Sequence, residues 1–184
     1  MLKKIVSGMV LTLLLISTFM LGFNVQQVEA SNTIYIRADG RVDPPIAPIS
    51  TLDNITYTLT GTIRDSIVIE RNNITIDGKG YTVQGSGSGD GFRLYNISNV
   101  TIKNTKIKNF LNGIDLYYSS NNSISGNTIT TNNGAGILLI HSSNSSISGN
   151  TLASNSYGLY LDSSSNYNNI STNAVTANSN YGIK

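Results

Sequence analysis

From residue 99 onward the chain repeats itself every 22 or 23 residues, and so short a period leaves few folds open. Written in rows, the segments starting at Asn99, Asn121, Asn144 and Asn166 read N-V-T-I-K-N-T-K-I, N-N-S-I-S-G-N-T-I, N-S-S-I-S-G-N-T-L and N-Y-N-N-I-S-T-N-A-V. Ile102, Ile124, Ile147 and Ile170 fall in one column at spacings of 22, 23 and 23, and Ile107, Ile129, Leu152 and Val175 fall in a second with the same spacings. Gly91, Gly113, Gly136, Gly158 and Gly182 form a third. A unit of this size cannot bury its own apolar face alone, so the period points to a solenoid in which each repeat covers the next.

What each unit is made of follows from the residues after the column glycines: Phe92-Arg93-Leu94, Ile114-Asp115-Leu116, Ile137-Leu138-Leu139 and Leu159-Tyr160-Leu161. Two apolar residues flanking one outward position are a strand signal. No segment after residue 31 keeps apolar residues at helical spacing over three turns, and the density of Asn, Ser, Thr and Gly disfavours helix. The sequence therefore predicts an all-β, right-handed parallel β-helix, its strands stacked at about 4.8 Å and its handedness set by crossover chirality. Four to five coils are visible, a column of roughly 25 Å. Asn127, Asn150 and Asn173 recur in the turn between the two apolar columns. They are expected to form an inward asparagine ladder, amide bonding to amide, at positions that also tolerate left-handed backbone angles.

Upstream, Ile67-Val68-Ile69 and Asn73-Ile74-Thr75-Ile76-Asp77-Gly78 look like one further coil, with Gly85-Ser86-Gly87-Ser88-Gly89 as an inserted loop. Three segments result: residues 1–30, 31–60 and 61–184. The first has Lys3 and Lys4, an uncharged apolar run from Ile5 to Phe23, and Val28-Glu29-Ala30 before Ser31, the layout of a cleavable secretory signal. Left uncleaved, it would be the chain's one means of membrane attachment. The second, with Pro44, Pro45 and Pro48, is expected to cap the first coil. The third carries the repeats and stops part-way through a coil at Lys184, which suggests an open or truncated C-terminal end and a longer parent protein.

Export removes Met1, Met9 and Met20, the chain's 3 methionines, and the chain has 0 cysteines and 1 histidine, His141. Thiolate, thioether and clustered imidazole ligands are thus missing, and no disulfide framework supports the fold. Subtracting Lys3, Lys4 and Glu29 from 12 basic and 10 acidic side chains leaves a near-neutral module, without the basic field that attracts nucleic acid.

The motifs I-S-G-N-T-I at 124–129, Y-G-L-Y-L at 157–161 and N-I-T-I-D-G at 73–78 resemble repeats of the pectin-lyase-like superfamily. They are most similar to the NosD-type periplasmic copper-accessory domain, also described as carbohydrate-binding and sugar-hydrolase (CASH) repeats. The resemblance covers about residues 60–184. T-I-Y-I-R-A-D-G-R-V-D-P-P and T-Y-T-L-T-G resemble the segment preceding such repeats in large surface proteins. The resemblance implies the fold, but fold does not settle chemistry. No copper ligand set matches, so no metal, cofactor-binding or catalytic residue is assigned. Enzymes on this fold need converging carboxylates, or Arg or Lys beside an acidic calcium site. The nearest acids are Asp77, read as a turn former, and Asp90 in a glycine loop.

Strand alternation leaves two outward columns, Arg93, Asp115, Leu138, Tyr160 and Tyr95, Tyr117, Ile140, Asp162. Stacking predicts a surface ion pair of Arg93 with Asp115 and an aromatic pair of Tyr95 with Tyr117. Tyr95, Tyr117, Leu138, Ile140 and Tyr160 then make a candidate ligand face for a polysaccharide or a cell-surface protein. His141 is read as a surface residue at a strand end. Seven sequons, at Asn54, Asn73, Asn96, Asn99, Asn121, Asn144 and Asn169, are possible glycosylation sites in an exported chain, although repeat duplication accounts for several. The preferred expectation is a non-catalytic secreted or cell-surface binding module. The alternatives are a piece of a polysaccharide lyase or hydrolase with its active site elsewhere, and an accessory protein for an exported metalloenzyme or transporter.

Overall fold

The computed structural model describes residues 33–162 and 164–184. The expected signal segment lies outside the described residues. Between Thr33 and Lys184 the chain winds about six times through three parallel sheets, and no helix occurs among the described residues.

Each coil contributes one strand to each sheet. The first sheet stacks Ile34–Ile36, Ile67–Ile69, Asp90–Tyr95, Asn112–Tyr117, Ala135–Ile140, Tyr157–Leu161 and Tyr181–Ile183. From it the chain passes to the third sheet, built of Thr56–Leu59, Ile74–Asp77, Val100–Lys103, Ser123–Ser125, Ser146–Ser148 and Asn169–Ser171. It returns through the second sheet, built of Thr82–Gln84, Lys106–Lys108, Thr128–Thr130, Thr151–Ala153 and Ala174–Thr176. Six steps along the first sheet make a column of about 29 Å. That is longer than the repeat pattern indicated, because the coils before residue 99 have irregular lengths.

The two predicted apolar columns are ladder partners in the third and second sheets: Ile102, Ile124, Ile147 and Ile170 in one, and Ile107, Ile129, Leu152 and Val175 in the other. With Phe92, Leu94, Ile114, Leu116, Ile137, Leu139 and Leu159 of the first sheet, most are fully buried. Each buried aliphatic side chain contributes about 1.5–3 kcal/mol, which a chain with no cysteine depends on. The glycine column stands where the chain turns from the second sheet into the first. A Cβ on Gly113 would lie 2.5 Å from the Gly136 carbonyl oxygen, and one on Gly136 would lie 2.7 Å from that of Gly158, so only glycine lets adjacent coils approach at this corner.

Polar ladders occupy the corners. The Asn127 backbone N–H and side-chain amide both donate to Asn150 Oδ1 at 3.0 Å, and Asn150 donates in the same way to Asn173 Oδ1. Each amide also donates to a carbonyl of the preceding coil, Asn127 to Ile102 and Asn150 to Ile124, both at 2.9 Å. The left-handed conformation falls one residue earlier than expected, on Asn104, Gly126, Gly149 and Thr172. That residue turns the corner and aims the next side chain inward. A second asparagine ladder, Asn132, Asn155 and Asn178, lines the opposite corner, and Ser119, Ser142 and Ser165 line the third.

Residues 33–60 do two things. Ile34–Ile36 and Thr56–Leu59 join the parallel sheets, pairing with Ile67–Ile69 and Ile74–Asp77. Val42–Asp43 and Ile49–Ser50 lie antiparallel on the first edge and cover it. The buried Tyr57 hydroxyl donates to the Gly40 carbonyl at 2.7 Å and ties this cover down.

Candidate functional site

The four long strands of the first sheet hold their side chains in strict register. Arg93, Asp115, Leu138 and Tyr160 are successive ladder partners, as are Tyr95, Tyr117 and Ile140. Inward neighbours at 0% exposure lock the alternation, so these residues have to face out.

The aromatic side chains divide into two groups. Tyr95 and Tyr117 stack with ring centroids 5.6 Å apart and planes 12° from parallel. Tyr118, at φ 50° on the corner, meets Tyr117 edge-on at 4.7 Å and lies parallel to His141 at 4.7 Å. The result is a continuous strip of four rings across three coils. Tyr160 belongs to the other group, edge-on to Tyr157 at 5.4 Å, while Tyr157 stacks on Tyr181 and the Lys184 ammonium lies 5.3 Å from the Tyr160 ring. Leu138 and Ile140, both half-buried, occupy the coil between. Tyr118 and His141 are the members that sequence alternation passed over. They are 23 residues apart, each directly before an inward serine, and that column was the available signal.

His141 is held from below by Asp162, whose Oδ1 accepts from the His141 backbone N–H at 3.1 Å and whose Oδ2 lies 4.0 Å from Nδ1. Burial alone would raise the Asp162 pKa; the Ser165 hydroxyl, the backbone N–H groups of His141 and Ser164, and the imidazole together bring it below its ordinary value. The Tyr117 pKa is raised above its ordinary value, first by Tyr118 and then by desolvation.

The charged residues behave differently from the sequence expectation. Arg93 and Asp115 are ladder partners but form no ion pair among the described contacts. Arg93 extends into solvent, whereas Asp115 is half-buried and its Oδ1 has no hydrogen-bond partner. Burial, reinforced by Asp90 and only partly offset by Arg93, raises the Asp115 pKa to about 6. Asp77 and Asp90 sit on different sheets and do not converge. Asp77 is consumed by its turn, accepting from the Lys79 backbone at 3.0 Å and the Asn104 amide at 3.1 Å, with Lys79 and Lys103 ammonium groups at 3.3 and 3.9 Å. Burial would raise its pKa, but these partners hold it below the ordinary value.

All seven sequon asparagines are exposed. Six of them, Asn54, Asn73, Asn96, Asn99, Asn121 and Asn144, have positive φ, and Asn99 donates to Asn73 Oδ1 at 3.0 Å one rung away. Among the described residues, no group of three or more His, Cys, Asp or Glu side chains could hold a metal ion.

Residues 26–184 match the protein family described as periplasmic copper-binding protein (NosD). No curated protein and no solved structure matches the chain.

Proposed function

The chain belongs to the NosD family, and within it we propose that this β-helix serves as a non-catalytic binding module of the cell envelope whose ligand is carbohydrate. The copper in the family description does not fit the donors present: His141 faces a single carboxylate, the chain has no cysteine, and Met1, Met9 and Met20 fall outside the described residues. No step is therefore routed through a metal.

The observation that carries the reading is the strip Tyr95, Tyr117, Tyr118 and His141. Ring faces carry negative electrostatic potential, and the C–H faces of a pyranose complement it while the sugar hydroxyls stay in contact with water and polar neighbours. Exposed aromatic side chains on a rigid sheet supply such a platform at low entropic cost. Tyr160 with Tyr157 and Tyr181 offers a second platform further along the same sheet, suited to an extended chain. Contact with a cell-surface protein is the weaker reading, because Leu138 and Ile140 are only half exposed. Export through residues 1–30 and glycan attachment at the sequons, Asn96 beside Tyr95 excepted, belong to the same proposal.

The test is a glycan array probed with the purified chain beside Tyr117→Ala and Tyr160→Ala. Tyr117 contacts three other rings, so its loss is expected to weaken binding by about tenfold, equivalent to ~1.4 kcal/mol. A folded wild-type chain that binds nothing on the array rules the reading out.

A further inference from the structure

Tyr117 covers one face of Tyr95, and the other face is open. Tyr95 is 60% exposed, and on its side toward the preceding coil lies an open hollow of about 500 Å³ whose lining includes Val68, Ile69, Glu70, Arg93 and Asn96. The hollow has a local cause. Ile69 pairs with Leu94, so Glu70 stands one rung before Tyr95 and could have lain across its ring. Instead its carboxylate is drawn toward Arg37, whose Nη1 lies 3.3 and 3.4 Å from the two oxygens. Arg37 is itself anchored by Asp43 at 2.6 and 3.0 Å. A guanidinium fixed by one carboxylate thus holds a second carboxylate at the rim. On the other side Arg93 is exposed and free of any ion pair among the described contacts, and Asn96 adds an amide at a left-handed corner.

We propose that this hollow is a subsite for one uncharged pyranose ring, stacked on the free face of Tyr95 with its hydroxyls between Glu70 and Arg93. The inference rests on the carbohydrate reading above and names where on the sheet a sugar sits and which kind. A pyranose needs a flat apolar surface beneath its C–H face, and acceptors and donors around its edge. Tyr95 supplies the surface, Glu70 accepts, Arg93 donates, and Asn96 does both. Because the rim carries both signs, a uronate or an amino sugar gains from one of Glu70 and Arg93 what it loses to the other and still has to be desolvated, whereas neutral hydroxyls hydrogen-bond to both. The volume lies toward the lower end of the range for small-molecule sites, enough for one ring and some water.

The test uses the full chain in saturation-transfer NMR and calorimetric titration against methyl hexopyranosides, methyl hexuronides and methyl hexosaminides. Wild type is expected to bind a neutral methyl hexopyranoside at least tenfold more tightly than its charged counterparts. Tyr95→Ala, Glu70→Gln and Arg93→Ala are each expected to weaken it at least fivefold. Lys106→Ala on the second sheet is expected to leave it unchanged, and circular dichroism checks that every variant is folded. If array binding is lost in Tyr117→Ala yet Glu70→Gln and Arg93→Ala bind as wild type, the ring sits elsewhere on the strip, and the subsite falls while the carbohydrate reading stands. A preference for the uronide or hexosaminide overturns the uncharged-ring assignment. Absence of all sugar binding by the folded wild type overturns both.

Discussion

Asp115 faces outward from the first sheet, yet one of its oxygens is buried without a hydrogen-bond partner, and its pKa is raised to about 6 from an ordinary 3.8. Between those values the folded chain binds more protons than the unfolded one, so stability is expected to fall as pH rises from about 4 to 6 and to stay reduced above. The loss is on the order of 2–3 kcal/mol. Asp115→Asn should raise the urea midpoint at pH 7.5 and flatten the profile between pH 4 and 6; a profile with the wild-type slope would show that another group titrates there. Asp77 and Asp162 have lowered values, so their contribution is present above their unfolded pKa and disappears below about pH 4, in a separate window. The expected ion pair with Arg93 failed for a reason that register alone cannot reveal. Ladder partners share a Cα level, but a long guanidinium gains more from water than from a half-buried neighbour.

Corners, more than strands, are the elements that distinguish this chain from a generic β sequence. Asn150→Ala would strand the buried Asn127 N–H and the Ile124 carbonyl, both of which it satisfies, and should cost about 3 kcal/mol or more in denaturant unfolding. Asn173→Ala, in a half-exposed coil where water can replace the amide, should cost about 1 kcal/mol. Equal costs for the two would mean that the ladder is not what ties the coils together. The Asn127 column was legible because it keeps step with the isoleucines and glycines. The Asn132 and Ser119 columns were not, since in a chain so rich in Asn and Ser only geometry separates an inward polar side chain from an outward one. Arg37–Glu70 was hidden as well, because its partners lie 33 residues apart across irregular coils that break the period. The aromatic strip was half legible: Tyr95 over Tyr117 follows from alternation, while Tyr118 and His141 enter from a corner that alternation does not describe.

Over the whole molecule burial is uneven along the axis. Inward residues from Ile67 to Leu159 are almost completely buried, whereas Ile170 and Val175 are half-buried and Ile183 is 52% exposed. At the other edge two antiparallel strands form a cover. Hydrogen exchange in this chain should therefore protect amides of Asn112–Tyr117 and Ala135–Ile140 most and release those of Asn169–Ser171 and Tyr181–Ile183 first; uniform protection would instead indicate a single cooperative unit. In all three sheets the strands run around the axis and their hydrogen bonds run along it. A force applied between the two ends of the column consequently loads those bonds one rung at a time rather than all together. The molecule is mechanically a zipper. Each rung that opens frees about 75–80 Å of extended chain, and the stretched length of a single molecule would report how many rungs remain closed.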